Sequence, residues 1–287
     1  MSDLTGKTVV VTGGSSGIGL ATAEAFAARG ADVAIVARDP ERLEAAREAV
    51  ETAGTGPGQR VMAFSADVGT FDGAQEAIGR VVEALGTPDV LVNTAGIIIP
   101  GYFESMPVAN FETCMRNGYL TCVYPSRAVA PHMIARGSGH IVNVSSVAGF
   151  LGCVYGYTAY APSKFAVMGF SEALRSEMKP HGIKVSVVCP PDTDTPGLAF
   201  EKSLRPAETD AVCGNMKAVG PEVVADEIVR AVEAGRYYVI PGLLGKVYFR
   251  LKGLLPGLFF AVTDGDVTKA RRKRLAGSGS ELSEERR

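Results

Sequence analysis

The sequence predicts an α/β protein: one doubly wound domain whose mostly parallel sheet has seven strands and helices on both faces. Three observations carry the prediction. Seven short runs rich in valine and isoleucine recur, "KTVVVTGG" (7–14), "ADVAIVAR" (31–38), "RVMAFSADV" (60–68), "PDVLVNTAG" (88–96), "GHIVNVSS" (139–146), "IKVSVVCP" (183–190) and "RYYVIPG" (236–242). They are nearly continuous in apolar character rather than alternating, as strands covered on both faces are. Between them lie stretches such as "ERLEAAREAVETA" and "EVVADEIVRAVEA", apolar at every third or fourth position, the period of an amphipathic helix. Such alternation calls for parallel strands joined by right-handed crossovers. No break in composition divides the chain before about residue 242, so one domain is expected over residues 1–242.

The bulk numbers narrow the function classes. A chain of 287 residues with 46% hydrophobic content and a formal charge of −2 has ample core and no basic excess, which argues against nucleic acid. Cysteines at 114, 122, 153, 189 and 213 are scattered, odd in number and without metal-ligand spacing. Free thiols in a reducing compartment and no structural metal are therefore expected. The N-terminus, "MSDLTGKTVVVTGG", runs straight into the first strand without signal-peptide architecture, so a cytoplasmic location is expected. The best candidate for a membrane span, "GLLPGLFFAV" (253–262), is too short and contains Pro256 and Gly257.

After the first strand comes "TGGSSGIG", where a phosphate site belongs in a doubly wound sheet. Gly13, Gly17 and Gly19 permit tight turning and close approach, and with Ser15, Ser16 and Ile18 they form a candidate dinucleotide loop; the other reading is a plain strand–helix turn. The second strand ends in "VAIVARDPER", with Arg38 where a site for NAD usually carries an acid. A guanidinium there can pair with a 2′-phosphate, helped by Arg42 and the Ser15 hydroxyl, so NADPH/NADP+ is the expected cofactor. Against it stands a solvated Arg38 beside Asp39. At the end of the third strand Asp67, with Val68 beside it, is placed to meet an adenine, and Asn93, Ala95 and Gly96 of "NTAG" to line its pocket.

The fifth strand ends at Ser146, and "YAPSK" places Tyr160 and Lys164 one helical turn apart on a shared face. An ammonium beside a phenol favours the phenolate and tunes it for proton transfer. A lone Y-x-x-x-K usually marks an ordinary surface helix. Here the glycine loop and the strand-end serine precede it in order, and the chain resembles the short-chain dehydrogenase/reductase family over residues 5 to about 242. The resemblance rests on "TGGSSGIG", "NTAG", "IVNVSS", "YAPSK" and the "CPP…T" segment. It implies a Rossmann-like fold and hydride transfer from a nicotinamide to a carbonyl carbon. It further implies that Tyr160 protonates the oxygen, Lys164 lowers the tyrosine pKa and binds the nicotinamide ribose, and Ser146 positions the carbonyl.

Two positions depart from that pattern. Ser146 and Tyr160 are one residue further apart than is usual in the family, which leaves Ser145 open as the alternative hydroxyl. The family's helix asparagine, part of a relay to the lysine, counts back to Gly118, with Asn117 just before it; Asn117 is the candidate.

The sixth strand runs into "CPPDTDTPG" (189–197). The resemblance implies that Pro190 and Thr195 cap the nicotinamide, with Pro191 in place of a glycine, and that Thr193 offers its backbone to the carboxamide. "PPDTDTPG", "VYPSRAV" (123–129) and "GYTAYAPSKFAVMGFSEALRSEMKP" (156–180) resemble more closely the branch that reduces 3-ketodihydrosphingosine with NADPH. Because that lipid-like ketone carries an ammonium next to its carbonyl, Asp192 or Asp194 can attract it; the competing reading is that both cap the following turn. The substrate lobe is expected over about 192–220. The family pairs through surfaces like "VYPSRAV" and the helix after Tyr160, so a homo-dimer or homo-tetramer is expected. Other expectations consistent with these residues are a reductase of 3-ketoacyl thioesters, steroids or retinoids, and an NADPH sensor without chemistry.

Beyond the seventh strand, "LLGKVYFRLKGLLPGLFFAV" and "KARRKR" form an apolar and basic extension over 243–275. Lys246, Arg250 and Lys252 among apolar residues fit a helix at a membrane surface, peripheral on the cytoplasmic face. An oligomer contact or a lid over the cleft is the alternative. Residues 276–287 are polar and expected to be disordered.

Overall fold

A computed structural model describes residues 4–152, 154–213 and 217–284. The first half alternates strand and helix: β1 (Thr8–Thr12), α1 (Gly17–Ala27), β2 (Asp32–Ala37), α2 (Pro40–Ala53), β3 (Val61–Ser65), α3 (Phe71–Leu85) and β4 (Val90–Asn93). The second continues with α4 (Val108–Met115), α5 (Thr121–Arg136), β5 (Gly139–Val144), the single turn α6 (Ala148–Leu151), α7 (Tyr160–Met178) and β6 (Ile183–Val188). Next come α8 (Pro196–Lys202), α9 (Ala207–Cys213), α10 (Pro221–Ala234), β7 (Tyr238–Val239), α11 (Leu243–Leu254) and α12 (Pro256–Glu284).

The seven strands form one sheet in the order β3-β2-β1-β4-β5-β6-β7, and every pairing is parallel, not merely most of them. Side chains alternate across a strand, so Val9 and Val11 pack with Phe26 and Ile228 beneath α1 and α10, while Val10 packs with Ile78 and Met133 beneath α3 and α5. Burial on both faces explains why the strand sequences show no alternation. The direction of strand order reverses between β2 and β4 on either side of β1, which opens a crevice at the carboxyl ends of β1 and β4.

The two terminal helices lie against the body instead of standing apart from it. Phe259 of α12 is buried with Phe150, Leu151, Val187, Cys189 and Ile240. The polar end for which no structure was expected is helical through Glu284. Among the described residues, no helix is long and apolar enough to cross a membrane.

Candidate active site

The glycine loop turns directly off β1. Gly17 holds a φ of 53°, a left-handed conformation that an L side chain rarely adopts. A Cβ on Gly19 would strike the carbonyl oxygen of Gly13. At its glycine positions the loop is thus packed so closely that only backbone fits, a cradle suited to a pyrophosphate. Ser16 occupies the N-cap position of α1 without a side-chain hydrogen bond to the helix, so the first-turn amides face outward uncapped by it. Ile18 lines the central cleft, and Thr195 meets Gly17 so closely that a Cβ there would lie 2.9 Å from Thr195 Cγ2. The loops after β1 and β6 therefore touch, although 178 positions separate these two residues (195 minus 17).

Arg38 and Arg42 are exposed at the end of β2. Asp39 is not Arg38's partner: its carboxylate accepts from the amides of Glu41 and Arg42, both at 3.1 Å, and caps α2. Neither guanidinium makes an ion pair among the described residues. Asp67 is held at the crevice edge by Arg116 Nη2 at 2.5 Å and the Gly69 amide at 3.0 Å.

Two candidates prove to be core residues. Asn93 is fully buried, and its amide donates to Asn143 at 2.9 Å and to Ser126 at 3.1 Å while its oxygen accepts from Thr12. That side chain ties β1, β4, β5 and α5 together and is turned away from the cleft. Val68 is buried among the residues under α3. In both, only the backbone remains for a ligand. Ala95 packs partly against the same core, and Gly96 lines the cleft.

Tyr160 opens α7, and it lines the cleft together with Ser146, whose hydroxyl acts on the phenol to lower its pKa. Ser145, the alternative, also lines the cleft, but its buried hydroxyl is committed as a donor to the Lys164 carbonyl at 2.9 Å. Lys164 Nζ donates to the Val144 carbonyl at 3.1 Å and lies 5.9 Å from the centre of the Tyr160 ring. Burial dominates the electrostatics of this pair. Burial pushes the Tyr160 phenol well above its ordinary value, against the Ser146 hydrogen bond and with the negative charges of Glu201 and Asp192 adding to the rise. Burial also lowers the Lys164 ammonium. Burial thus acts against the lowering that the resemblance implies for a neighbouring ammonium.

Asn117 lies in a π-helical turn (Arg116–Leu120) between α4 and α5, which inserts an extra residue into the helix. Its side-chain amide donates to the Thr113 carbonyl at 3.1 Å. Its own carbonyl borders the cleft loop: a Cβ on Gly96 would sit 3.6 Å from that oxygen and 3.5 Å from Lys164 Nζ. A Cβ on Gly118 would strike the Ser163 hydroxyl, so the glycine lets α7 close against this turn. The ambiguity between residues 117 and 118 thus has a backbone origin.

The segment after β6 forms the next wall. Thr193 is buried and bridges Val219 through the carbonyl of Asp192, at 3.0 Å, and the amide of Asp194, at 2.8 Å. The amide and carbonyl of Thr193 itself are uncommitted among the described residues. Thr195 caps α8, accepting from the Leu198 amide at 3.2 Å. Neither aspartate does that work: Asp194 is exposed, and Asp192 pairs with Arg205 at 2.8 Å. Pro190 and Pro191 line the cleft beside them.

These walls enclose a cavity of about 540 Å³. Its far side comes from the extension, through Tyr248 and Leu251 of α11 and Phe259 and Val262 of α12. Lys252, expected at a membrane surface, points inward. It donates to the carbonyls of Phe150 and, at 2.9 Å, of Leu151, and sits 5.0 Å over the Phe165 ring. Lys246 and Arg250 are exposed. Sequence reasoning missed Glu201, Arg205 and Tyr157 in the cleft wall, although Glu201 and Arg205 have the four-residue spacing of a helical ion pair.

A model of the family described as short chain dehydrogenase matches residues 7–205. The chain belongs to the short-chain dehydrogenase family. It is therefore an oxidoreductase of the short-chain dehydrogenase/reductase type. Relatives include a 3-ketodihydrosphingosine reductase of Bos taurus, 43% identical over 82% of this chain and 70% of that one. A 3-ketodihydrosphingosine reductase of Dictyostelium discoideum is 37% identical over 91% of this chain and 82% of its own. Among solved structures, a short-chain dehydrogenase from Sphingobium yanoikuyae in complex with NADPH superposes with a TM-score of 0.73 at 29% identity, covering 88% of this chain and 94% of that one.

Proposed function

We propose that this short-chain dehydrogenase reduces 3-ketodihydrosphingosine to dihydrosphingosine with NADPH. The observation that carries the reading is the cleft: the Tyr160–Ser146 pair sits at the polar end of an apolar chamber walled by α11 and α12. Such a chamber suits a ketone with a long alkyl chain, and reductases of that ketone are among the relatives.

The glycine loop, from Gly13 to Gly19, fits a dinucleotide because no side chain fits at its glycines and it ends at helix amides that Ser16 leaves uncapped. Arg38 and Arg42, with Ser15, would hold a 2′-phosphate; their lack of other ion pairs favours NADPH over NADH. Asp67 would meet the adenine, with the backbone of Val68, Asn93, Ala95 and Gly96 around it. Pro190, Thr195 and the free backbone of Thr193 would border the nicotinamide. When bound, the reduced nicotinamide supplies the hydride for the carbonyl carbon. Ser146 holds the substrate oxygen, and Tyr160 gives it a proton as negative charge develops there. The raised phenol pKa keeps that proton available until an alkoxide, a far stronger base, appears. Lys164 then stabilises the phenolate, steadied by the carbonyl of Val144.

The same reading extends to location and assembly. Leu243, Leu254 and Leu255 of the extension are more than half exposed and do not line the chamber. With Lys246 and Arg250 they would rest on the cytoplasmic face of an anionic membrane, where the substrate resides. Vesicles containing phosphatidylserine should sediment the full chain, and Leu254→Asp with Leu255→Asp should release it. An apolar groove between α5 and α7, lined by Tyr124, Ile134 and Phe170, would receive a second copy, to be read from the sedimentation mass.

The decisive experiment follows NADPH consumption with 3-ketodihydrosphingosine beside steroid, retinoid and 3-ketoacyl ketones. Preference for the sphingoid ketone supports the reading, and turnover of the others alone overturns it.

A further inference from the structure

Charged residues enter the cleft lining at Lys164 of α7, at Asp266 of α12 and, as a pair in one wall, at Asp192 and Glu201. Asp192 and Glu201 both line the cavity, and the Glu201 side chain is 1% exposed. One guanidinium serves both. Arg205, itself 1% exposed, meets the two oxygens of Glu201 at 2.5 and 3.0 Å and Asp192 Oδ2 at 2.8 Å. Its outer side faces a third carboxylate, Asp210, at 3.7 Å. Tyr157 adds a hydrogen bond to Glu201 but no charge.

Negative charge therefore exceeds positive in this wall. Charge removed from water is costly unless compensated, and a single Arg205 cannot neutralise both cavity carboxylates. Glu201 is saturated by its two partners. Asp192 is not: its Oδ1 has no hydrogen-bond partner among the described residues, and the residue faces the chamber. The wall is also close to the chemistry. The Tyr157 ring meets the Tyr160 ring edge-on at 5.4 Å between centres, so Glu201 is separated from the reacting phenol by one aromatic side chain. Both carboxylates act electrostatically on the Tyr160 proton.

We propose that Asp192, fixed by Arg205 and backed by Glu201, recognises a cationic amine on the carbon next to the reacting carbonyl, making this chain selective for amino ketones. The inference rests on the reading of the cleft as a sphingoid ketone site, and it assigns the selectivity to Asp192 rather than to Asp194. With the carbonyl oxygen at Tyr160 and Ser146, an amine one carbon away falls on the side of the chamber walled by Asp192 and Glu201. The alkyl chain is left to the apolar walls of α11 and α12.

The test uses calorimetry on the full chain with NADP+ present, comparing dihydrosphingosine with its N-acetyl derivative, alongside turnover of 3-ketodihydrosphingosine. Wild type should favour the free amine by about tenfold or more, the scale of a charge-assisted hydrogen bond out of water. Asp192→Asn should collapse that ratio, while Asp194→Asn should preserve it. Asp192→Asn leaves the Glu201–Arg205 pair intact, so the wall retains its internal ion pair. Equal affinity for amine and amide in wild type, or a ratio unchanged in Asp192→Asn, would overturn the assignment. Absence of ketone turnover with the amine preference intact would sink the proposed reaction and still support recognition of the amine.

Discussion

The two halves of the crevice are built on different principles. On the β1–β4 side, the contacts proposed for a cofactor are mostly backbone: the Gly17 turn, the close approach of Gly19 to Gly13 and the uncapped start of α1. On the β5–β7 side, the work falls to side chains brought from far apart, Ser146, Tyr160, Asp192, Glu201 and Lys252. Backbone sites tolerate any sequence that folds and forbid a Cβ, whereas side-chain sites are set by particular functional groups. Damage to the first should therefore appear as lost dinucleotide affinity, and damage to the second as lost turnover or altered ketone choice.

The sharpest way to break this division is Tyr160→Phe. Turnover should fall by about 10²–10⁴-fold, the worth of a positioned proton donor, while an NADPH titration stays close to wild type. Collapse of NADPH affinity in that variant would show that the halves are not separable. A control for both lies in β5, where His140 is buried, bonded to Ser186 at 2.7 Å, and pushed by burial from 6.5 down to about 4. The unfolded chain takes up a proton there first, so stability should fall as pH drops from about 6.5 towards 4, by about 2–3 kcal/mol. Urea melts across that window should show the loss, and His140→Gln should flatten it. Cofactor affinity and turnover should decline together along it, since the strand supports both halves.

Smaller changes sharpen the comparison within each half. Arg38→Ala should weaken NADPH by about tenfold and leave NADH nearly unaffected, a surface-screened charge contact being worth little more. Equal weakening of both dinucleotides would mean that the 2′-phosphate is held elsewhere. Lys252→Met removes the donor from two carbonyls at the end of α6, and the KM for the lipid ketone should rise by about fivefold with kcat moving less. A change in NADPH affinity instead would place the extension's role on the other side of the crevice.

Legibility in the sequence follows the same division. The strands could be read because burial on both faces leaves continuous valine and isoleucine runs, and the glycine loop because its residues are consecutive. The edge strand β7 is shorter than its run, with Tyr238 exposed, since a sheet edge is paired on one side alone. Tyr160 and Lys164 were legible through helical spacing. Ser145 and Ser146 were not separable, because which of two neighbouring hydroxyls faces the chamber depends on how α7 packs. Asn93 and Val68 sit within the right segments but turn inward, a matter of strand phase that the motif alone leaves open. The aspartates were noticed for their charge, but Arg205, which decides between them, comes from the connection between α8 and α9. Lys252 was misread because a cation among apolar residues has the same pattern whether it meets headgroups or backbone carbonyls.

The bond from Lys252 back to Leu151 joins positions 101 residues apart. On the ribosome the whole sheet, β1 to β7, leaves the exit before that lysine does, because the chain emerges from its N-terminal end. A growing polypeptide should thus own every strand before its chamber has a far wall, and the last helices are the final piece to settle into place.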